Sequence, residues 1–355
     1  MGLFRAKIAR RDVEDRKAPR RPAHVVLGVE GGGSRFGSTR YKTRRLCPFE
    51  DGLVTVARLR PTRGKEPLEL GWIVHQGWEA YHGTIAAAQA TYSEVPKKGS
   101  ARNEFFWGAL REAENAALDT IDAFKVEPGY AATYDDASRI VSAYVDRYRR
   151  EDMWHVLSVE ETLEYEEELP EPIVLLNEDG SEALRMTHFQ YSARLDRVYV
   201  DYQPGMFGLY LGEGKTAKIL NEDLIHGYQQ DMQILGQQWL FQHCVDQEAY
   251  PPFKGVVVDI AGKSKTPKFE RVHCIGSPYH LAAFEDSTRR WALANLFLGE
   301  LGYPKSLGSC AGALRGYSRC TYYDLCHAYP ELSIEDFSTM APPDGFYRED
   351  PPDDQ

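Results

Sequence analysis

FQYSARLDRVYVDYQPGMFGLYLGEGKTAK, residues 189–218, decides how the rest of the chain is read. Two runs with period-two patterning flank a short polar turn, QPGM, at 203–206. Alternation of that kind predicts two strands joined as an antiparallel hairpin. The first run carries Asp196. The second carries Glu213, Gly214 and Lys215, giving the spacing Asp-x16-Glu-x-Lys. A hairpin brings the two acids to neighbouring strands, where paired carboxylates can hold a hard divalent cation through oxygen. Lys215 lies two residues after Glu213, on the same face of the strand. An ammonium there can hold or activate a water beside the metal, which suits metal-assisted hydrolysis of a phosphodiester. Taken alone the pattern is short, and exposed hairpin charges are its ordinary alternative.

Outward from the hairpin, the order of elements is helices, strands, helix, strands, helix. GWIVHQGWEAYHGTIAAAQATY predicts a helix at about 71–92, ARNEFFWGALREAENAALDTIDAFK one at about 101–125, and TYDDASRIVSAYVDRYRRE a third. Asp135 and Asp136 suit the third helix's first turn. Strands are predicted in MWHVLSVEETLEYEEEL, EPIVLLN and the hairpin itself, then a long helix at about 222–246, strands in FKGVVVDIAG and FERVHCIGS, and a last helix in SPYHLAAFEDSTRRWALANLFLGEL. That order predicts an α/β protein with a helical insertion.

His75, Glu79 and His82 fall on one face of the first helix. His82 reads there as a solvated polar residue, and so does Glu79, with an acid supporting His75 as the alternative for Glu79. Glu160, in VLSVEETLEY, reads as a solvent-facing glutamate. LGEGKT is not a phosphate-binding P-loop, because the first glycine of that motif would fall on Leu209. The glycines at 28, 31, 32, 33 and 37 do not form a dinucleotide fingerprint, since Phe36 stands where the third glycine is needed; they read as a flexible linker.

The ordered set resembles the PD-(D/E)XK nuclease superfamily, in its RecB-like branch. That branch has a G-x-x-x-H helix, a G-x-(I/L)-D strand, a (D/E)-x-K-T strand and a Q-x-x-x-Y helix. Gly71 and His75 match the first, Asp196 the second, Glu213, Lys215 and Thr216 the third, and Gln233 the fourth. The resemblance covers about residues 45–330. It departs at Ala193, which replaces the glycine, and at Gln237, which replaces the tyrosine. The resemblance implies a restriction-endonuclease-like α/β core, a mixed central sheet flanked by helices, with the helical insertion and a cysteine-bearing C-terminal segment. It implies Mg²⁺ or Mn²⁺ held by His75, Asp196, Glu213 and the Gly214 carbonyl. Catalysis falls to Asp196, Glu213, Lys215 and Gln233. The substrate implied is DNA, single- or double-stranded and cut from linear ends, in recombination, repair or phage replication. A helicase or recombination partner would supply any unwinding. The alternative is a catalytically weak DNA-end-binding or assembly subunit on the same fold.

Six cysteines in a chain read as intracellular argue against disulfides. Cys47 precedes the expected nuclease core, and Cys310, Cys320 and Cys326 follow it. One cysteine ahead and three behind resembles the iron–sulfur staple of several RecB-like nucleases. That implies a 4Fe–4S cluster, with zinc or plain thiols as alternatives. Cys244 and Cys274 read as packed core residues.

The domain plan is a basic, glycine-rich arm at 1–44 and a nuclease domain at 45–330. Within the latter the helical part spans about 71–150 and the catalytic sheet about 153–265. An acidic tail occupies 331–355. The charge is correspondingly uneven. Residues 1–24 carry eight Lys or Arg against three acids, and 331–355 carry eight acids against one arginine. A net charge of -11 argues against a uniformly basic nucleic-acid coat. No apolar run approaches the ~20 residues of a membrane span, and no N-terminal run has signal-peptide character.

Overall fold

The structure, a computed structural model, describes residues 47–61, 66–91, 100–124, 131–149, 154–176, 179–300, 320 and 322–349. The N-terminal arm expected at 1–44 and Cys310 lie outside these. The described elements run α1 (Pro48–Thr55), β1 (Leu59–Pro61), α2 (Glu66–Ala90), α3 (Ser100–Ala123), α4 (Ala131–Tyr148), β2 (Trp154–Leu176), β3 (Glu182–Asp201) and β4 (Gly208–Ala217). Then come α5 (Glu222–Tyr228), α6 (Met232–Cys244), a 3-10 turn (Gln247–Ala249), β5 (Phe253–Gly262), β6 (Phe269–Cys274), α7 (Pro278–Glu300), α8 (Tyr323–Ala328), α9 (Ile334–Thr339) and β7 (Phe346–Arg348). No helix among the described residues is long and apolar enough to cross a membrane.

The central sheet is mixed, in the order β2-β3-β4-β5-β6. β3 and β4 form the expected antiparallel hairpin, with Arg197 opposite Gly212 and Asp201 opposite Gly208. Continuing that register by one residue sets Asp196 opposite Glu213. β4 and β5 are parallel, Glu213 beside Val258 and Lys215 beside Ile260, and β5 and β6 are antiparallel. Parallel neighbours need a crossover, which α5 and α6 supply. The sequence predicted one helix there. Two form instead, because Asp231 leaves helical geometry and its side chain accepts the Gln233 N–H at 2.7 Å. The cap places Gln233 in the first turn of α6. The two strands expected at 153–177 are one long strand, β2.

Two compact units emerge. One draws on Gly64–Leu163 and Arg194–Leu281, the other on Ala9–Arg63, Glu164–Ala193 and Ala282–Gln355. In the first, α2, α3 and α4 bury a shared core that includes Ile73, Val74, Trp78, Ile121, Ile140 and Tyr144. Burying each such aliphatic side chain contributes about 1.5–3 kcal/mol.

In the second unit, Cys47, Phe49, Leu53 and Leu59 pack with Cys320, Tyr322, Leu325, Ile334 and Phe337. β1 pairs antiparallel with β7. The segment expected as an acidic tail therefore contains ordered structure. Its apolar residues Ile334 and Phe337 are buried while Glu335 and Asp336 stay exposed, and Ser333 with Asp336 forms a capping box. α1 has a sequence signal of its own, a proline at its first position.

Candidate active site

Two glycines set how closely α2 approaches β4. A β-carbon at Gly71 would meet Thr216 Oγ1 at 2.9 Å, and one at Gly214 would meet the Trp78 ring at 2.6 Å. The first and third sequence motifs thus fit each other, with His75 carried between Gly71 and Trp78 on the same helix.

Near the Gly214 contact, donor atoms of His75, Glu160 and Asp196 all lie within 4.8 Å of one another. His75 Nε2 is 3.0 Å from Glu160 Oε1 and 3.5 Å from Asp196 Oδ1. Asp196 Oδ2 accepts the Gly214 backbone N–H at 2.7 Å. Arg194 Nε lies 2.6 Å from Glu160 Oε2. Burial pulls His75 toward its neutral form, but contact with Glu160 and the charge of Asp196 outweigh it and push its pKa up to about 9. Burial, then the neighbouring Glu213 charge, raises Asp196 to about 7. Carboxylates crowded in this way are stabilised by a cation.

Glu160 is the residue that the sequence reading placed in solvent. Its side chain is only 12% exposed. Its backbone φ is +53°, in the left-handed region that a residue other than glycine enters at a cost of order 1–3 kcal/mol. Both its carboxylate oxygens are shielded from solvent without a well-formed hydrogen bond, facing His75 and Arg194. Glu79, on the same cavity wall as His75, accepts a hydrogen bond from Gln76 at 2.9 Å.

Glu213 stands outside the group of three and turns toward α6. Lys215 Nζ donates to Glu213 Oε1, and Gln233 Nε2 donates to the same oxygen at 2.7 Å. Gln233 Oε1 in turn accepts from Lys215 at 3.0 Å. Gln237 Nε2 donates to Glu213 Oε2 at 2.6 Å. Burial lowers Lys215's affinity for its proton, but Glu213 and Asp196 more than compensate and raise its pKa. Lys215 is therefore a fixed cation here. Of the expected residues, His75 and Asp196 meet directly, while Glu213, Lys215 and Gln233 form an adjoining set. Gly214 contributes its N–H to Asp196.

Next to Asp196 in sequence, Arg197 points into a buried network. Asp259 accepts from Arg197, from Arg271 Nε at 2.6 Å and from the Tyr144 hydroxyl at 2.8 Å. Burial raises the Asp259 pKa, but the two guanidiniums prevail and hold it below the usual carboxylate range. His82 Nε2 sits 3.1 Å from Arg197 Nη1. At 3% exposure, His82 is a core residue rather than the solvated one expected. Burial and then the Arg197 charge drive its pKa well below 6.5.

Cys47 and Cys320 are buried in one cluster, with Cys326 packed against it. The Tyr322 N–H donates to Cys320 Sγ at 3.4 Å. Cys274 is fully buried and Cys244 partly so, and burial pushes each thiol up to about 11.

No family model matches the chain, and no curated protein matches it. A crystal structure from Eubacterium rectale, described as a "putative exonuclease", aligns over 86% of this chain and 92% of its own, at 13% identity and a TM-score of 0.41. A likeness that distant assigns no chemistry to this chain.

Proposed function

We propose that the chain is a divalent-metal-dependent nuclease of the RecB-like PD-(D/E)XK type that hydrolyses DNA phosphodiester bonds as an exonuclease. The observation that carries the reading is the meeting of His75, Glu160 and Asp196 beside the Glu213–Lys215–Gln233 set. One imidazole nitrogen with carboxylate oxygens is a donor set for Mn²⁺ or Mg²⁺. Glu160's shielded oxygens and its strained backbone fit a residue aimed at a cation.

His75, Glu160 and Asp196 would hold the metal, with Glu213 adjoining and the Gly214 carbonyl added by the family resemblance. A bound divalent cation supplies Lewis-acid polarisation of a phosphoryl oxygen and a water of lowered pKa. Lys215, kept charged by its acidic neighbours, positions that water and offsets the negative charge that builds on phosphorus in the transition state. Its raised pKa favours this electrostatic role over proton abstraction. Gln233 bridges Lys215 and Glu213, fixing the position of the Lys215 ammonium.

By the family resemblance, Cys47, Cys310, Cys320 and Cys326 would hold a thiolate-bound 4Fe–4S centre; of these, Cys47 and Cys320 share one packed core with Cys326 against it.

Hydrolysis of linear single- and double-stranded DNA with Mn²⁺ tests the nuclease reading. The wild type is expected to cut from ends and to stop with a chelator, and Asp196→Asn to be inactive while folded. Equal cutting by Lys215→Ala and wild type refutes the mechanism. Metal and DNA binding without cutting supports an end-binding subunit instead.

A further inference from the structure

We infer that Gln237 is a positioning residue for the Glu213 carboxylate and that it sets the protein's affinity for its divalent cation. The inference rests on the nuclease reading above and concerns a residue that departs from the family pattern. Gln237 lies on α6, one turn after Gln233, and is 1% exposed. Its Nε2 donates to Glu213 Oε2 at 2.6 Å.

Lone-pair counting gives that contact its meaning. A carboxylate offers about four acceptor sites, two on each oxygen. Lys215 and Gln233 fill both sites on Oε1. Gln237 fills one on Oε2 and leaves the other open. Oε2 is therefore the oxygen that keeps an acceptor site for a metal, and Gln237 is bonded to that same oxygen. Groups that orient a ligand carboxylate in this way typically change metal affinity by about 10–100-fold when removed.

The other end of the amide strengthens the case. Gln237 Oε1 is buried and has no hydrogen-bond partner, which costs about 1–3 kcal/mol. Reversing the amide would place that oxygen against a carboxylate. The orientation is thus dictated by Glu213 at the expense of the carbonyl. A glutamine serving only to fill core volume has no reason to accept that cost, since methionine or leucine would pack there without it.

Gln238 provides the internal comparison. It is adjacent, equally buried, and engaged elsewhere: its Oε1 accepts the Gly276 N–H at 2.8 Å.

The test is Mn²⁺ binding by the full-length protein, read from the loss of the free-ion electron paramagnetic resonance signal and independent of turnover. Gln237→Met keeps the length of the side chain and removes the unpaired carbonyl, so the fold is expected to hold. Its Mn²⁺ dissociation constant is expected to rise about tenfold or more. Cleavage should return to near the wild-type maximum at saturating Mn²⁺, so the metal requirement moves and the maximal rate does not. Gln238→Met should leave Mn²⁺ affinity unchanged. If Asp196→Asn abolishes binding while Gln237→Met matches or exceeds the wild-type affinity, the positioning role is overturned and the metal site stands. If the wild type itself fails to bind Mn²⁺, the nuclease reading falls and this inference falls with it.

Discussion

Gly214 abuts the Cε3–Cζ3 edge of the Trp78 ring, with 2.6 Å separating that edge from the place a β-carbon would occupy. The glycine between Glu213 and Lys215 of β4 makes room for a tryptophan on α2. Gly71 makes the reciprocal approach from the helix side, against Thr216. The contact at Gly214 involves a rigid ring packed in the core, whereas Thr216 Oγ1 can rotate aside. Gly214→Ala is therefore expected to destabilise by about 1–3 kcal/mol, in the manner of overpacking, and Gly71→Ala by less. Thr216→Ala should relieve much of the Gly71→Ala cost in a double-mutant cycle. Denaturant melts of the four variants measure this; additive costs at Gly71 and Thr216 would show that the two do not touch.

Glu160 holds a left-handed backbone in the middle of β2 while facing His75 and Arg194. Local strain of this kind is retained where a side chain must be aimed. Glu160→Gly removes both the strain and the carboxylate. It is expected to melt no lower than Glu160→Ala, by a margin of roughly 1 kcal/mol, and both variants should bind Mn²⁺ at least about tenfold more weakly than the wild type. Thermal melts and a Mn²⁺ titration check the two halves. Unchanged Mn²⁺ affinity would remove Glu160 from the site.

What the sequence disclosed follows from which physics leaves a periodic trace. The β3–β4 hairpin was legible because alternation and a polar turn determine register, and register sets Asp196 across from Glu213. Glu160 was not legible, since it sits in the acid-rich run VEETLEYEEEL, where no period distinguishes one glutamate from the next; only its φ marks it. His82 shares a helix face with His75, but α4 and β5 cover it through Tyr144 and Asp259, and tertiary cover of that kind has no local signal. The α5–α6 break was available from Asp231, a good capping residue in an otherwise helical stretch. Gln237 reads as a mismatch to a pattern, because its contact with Glu213 Oε2 is tertiary and leaves no local signal.

The cysteine cluster makes a prediction separate from catalysis. Protein purified without oxygen is expected to absorb near ~400 nm and to contain iron if Cys47, Cys310, Cys320 and Cys326 hold a cluster. Cys47→Ala and Cys320→Ala should each lose the absorbance and destabilise the second unit, whose core contains both residues. A colourless, iron-free protein with unchanged melting in both variants would assign these cysteines to packing alone.

His82 predicts how stability varies with pH. In the folded chain its pKa is well below 6.5, because burial and then Arg197 oppose the imidazolium. Its Nε2 faces the Arg197 guanidinium, so the ring nitrogen there acts as an acceptor and the ring is neutral. Below pH 6.5 the unfolded chain binds a proton at this residue that the folded chain does not. Stability therefore falls as pH falls, by about 1.4 kcal/mol for each unit below 6.5, until the folded-state pKa is reached. His155 and His273 are also lowered by burial and add to the total slope; Asp196, raised from 3.8 to about 7, opposes it within that window, and His75, raised from 6.5 to about 9, opposes it only above 6.5. Comparing the wild type with His82→Gln isolates the one residue, since glutamine keeps an acceptor for Arg197 and does not titrate. Urea melts between pH 7 and 5 should show a slope shallower by about one proton in the variant. Asp259 marks a separate, more acidic window: its folded pKa lies below 3.8, so its stabilising contribution is full above 3.8 and is lost only as pH falls through the depressed value. Equal slopes for wild type and His82→Gln between pH 6.5 and 5 would mean that His82 is protonated in the folded protein and that the Arg197 contact is not the one described.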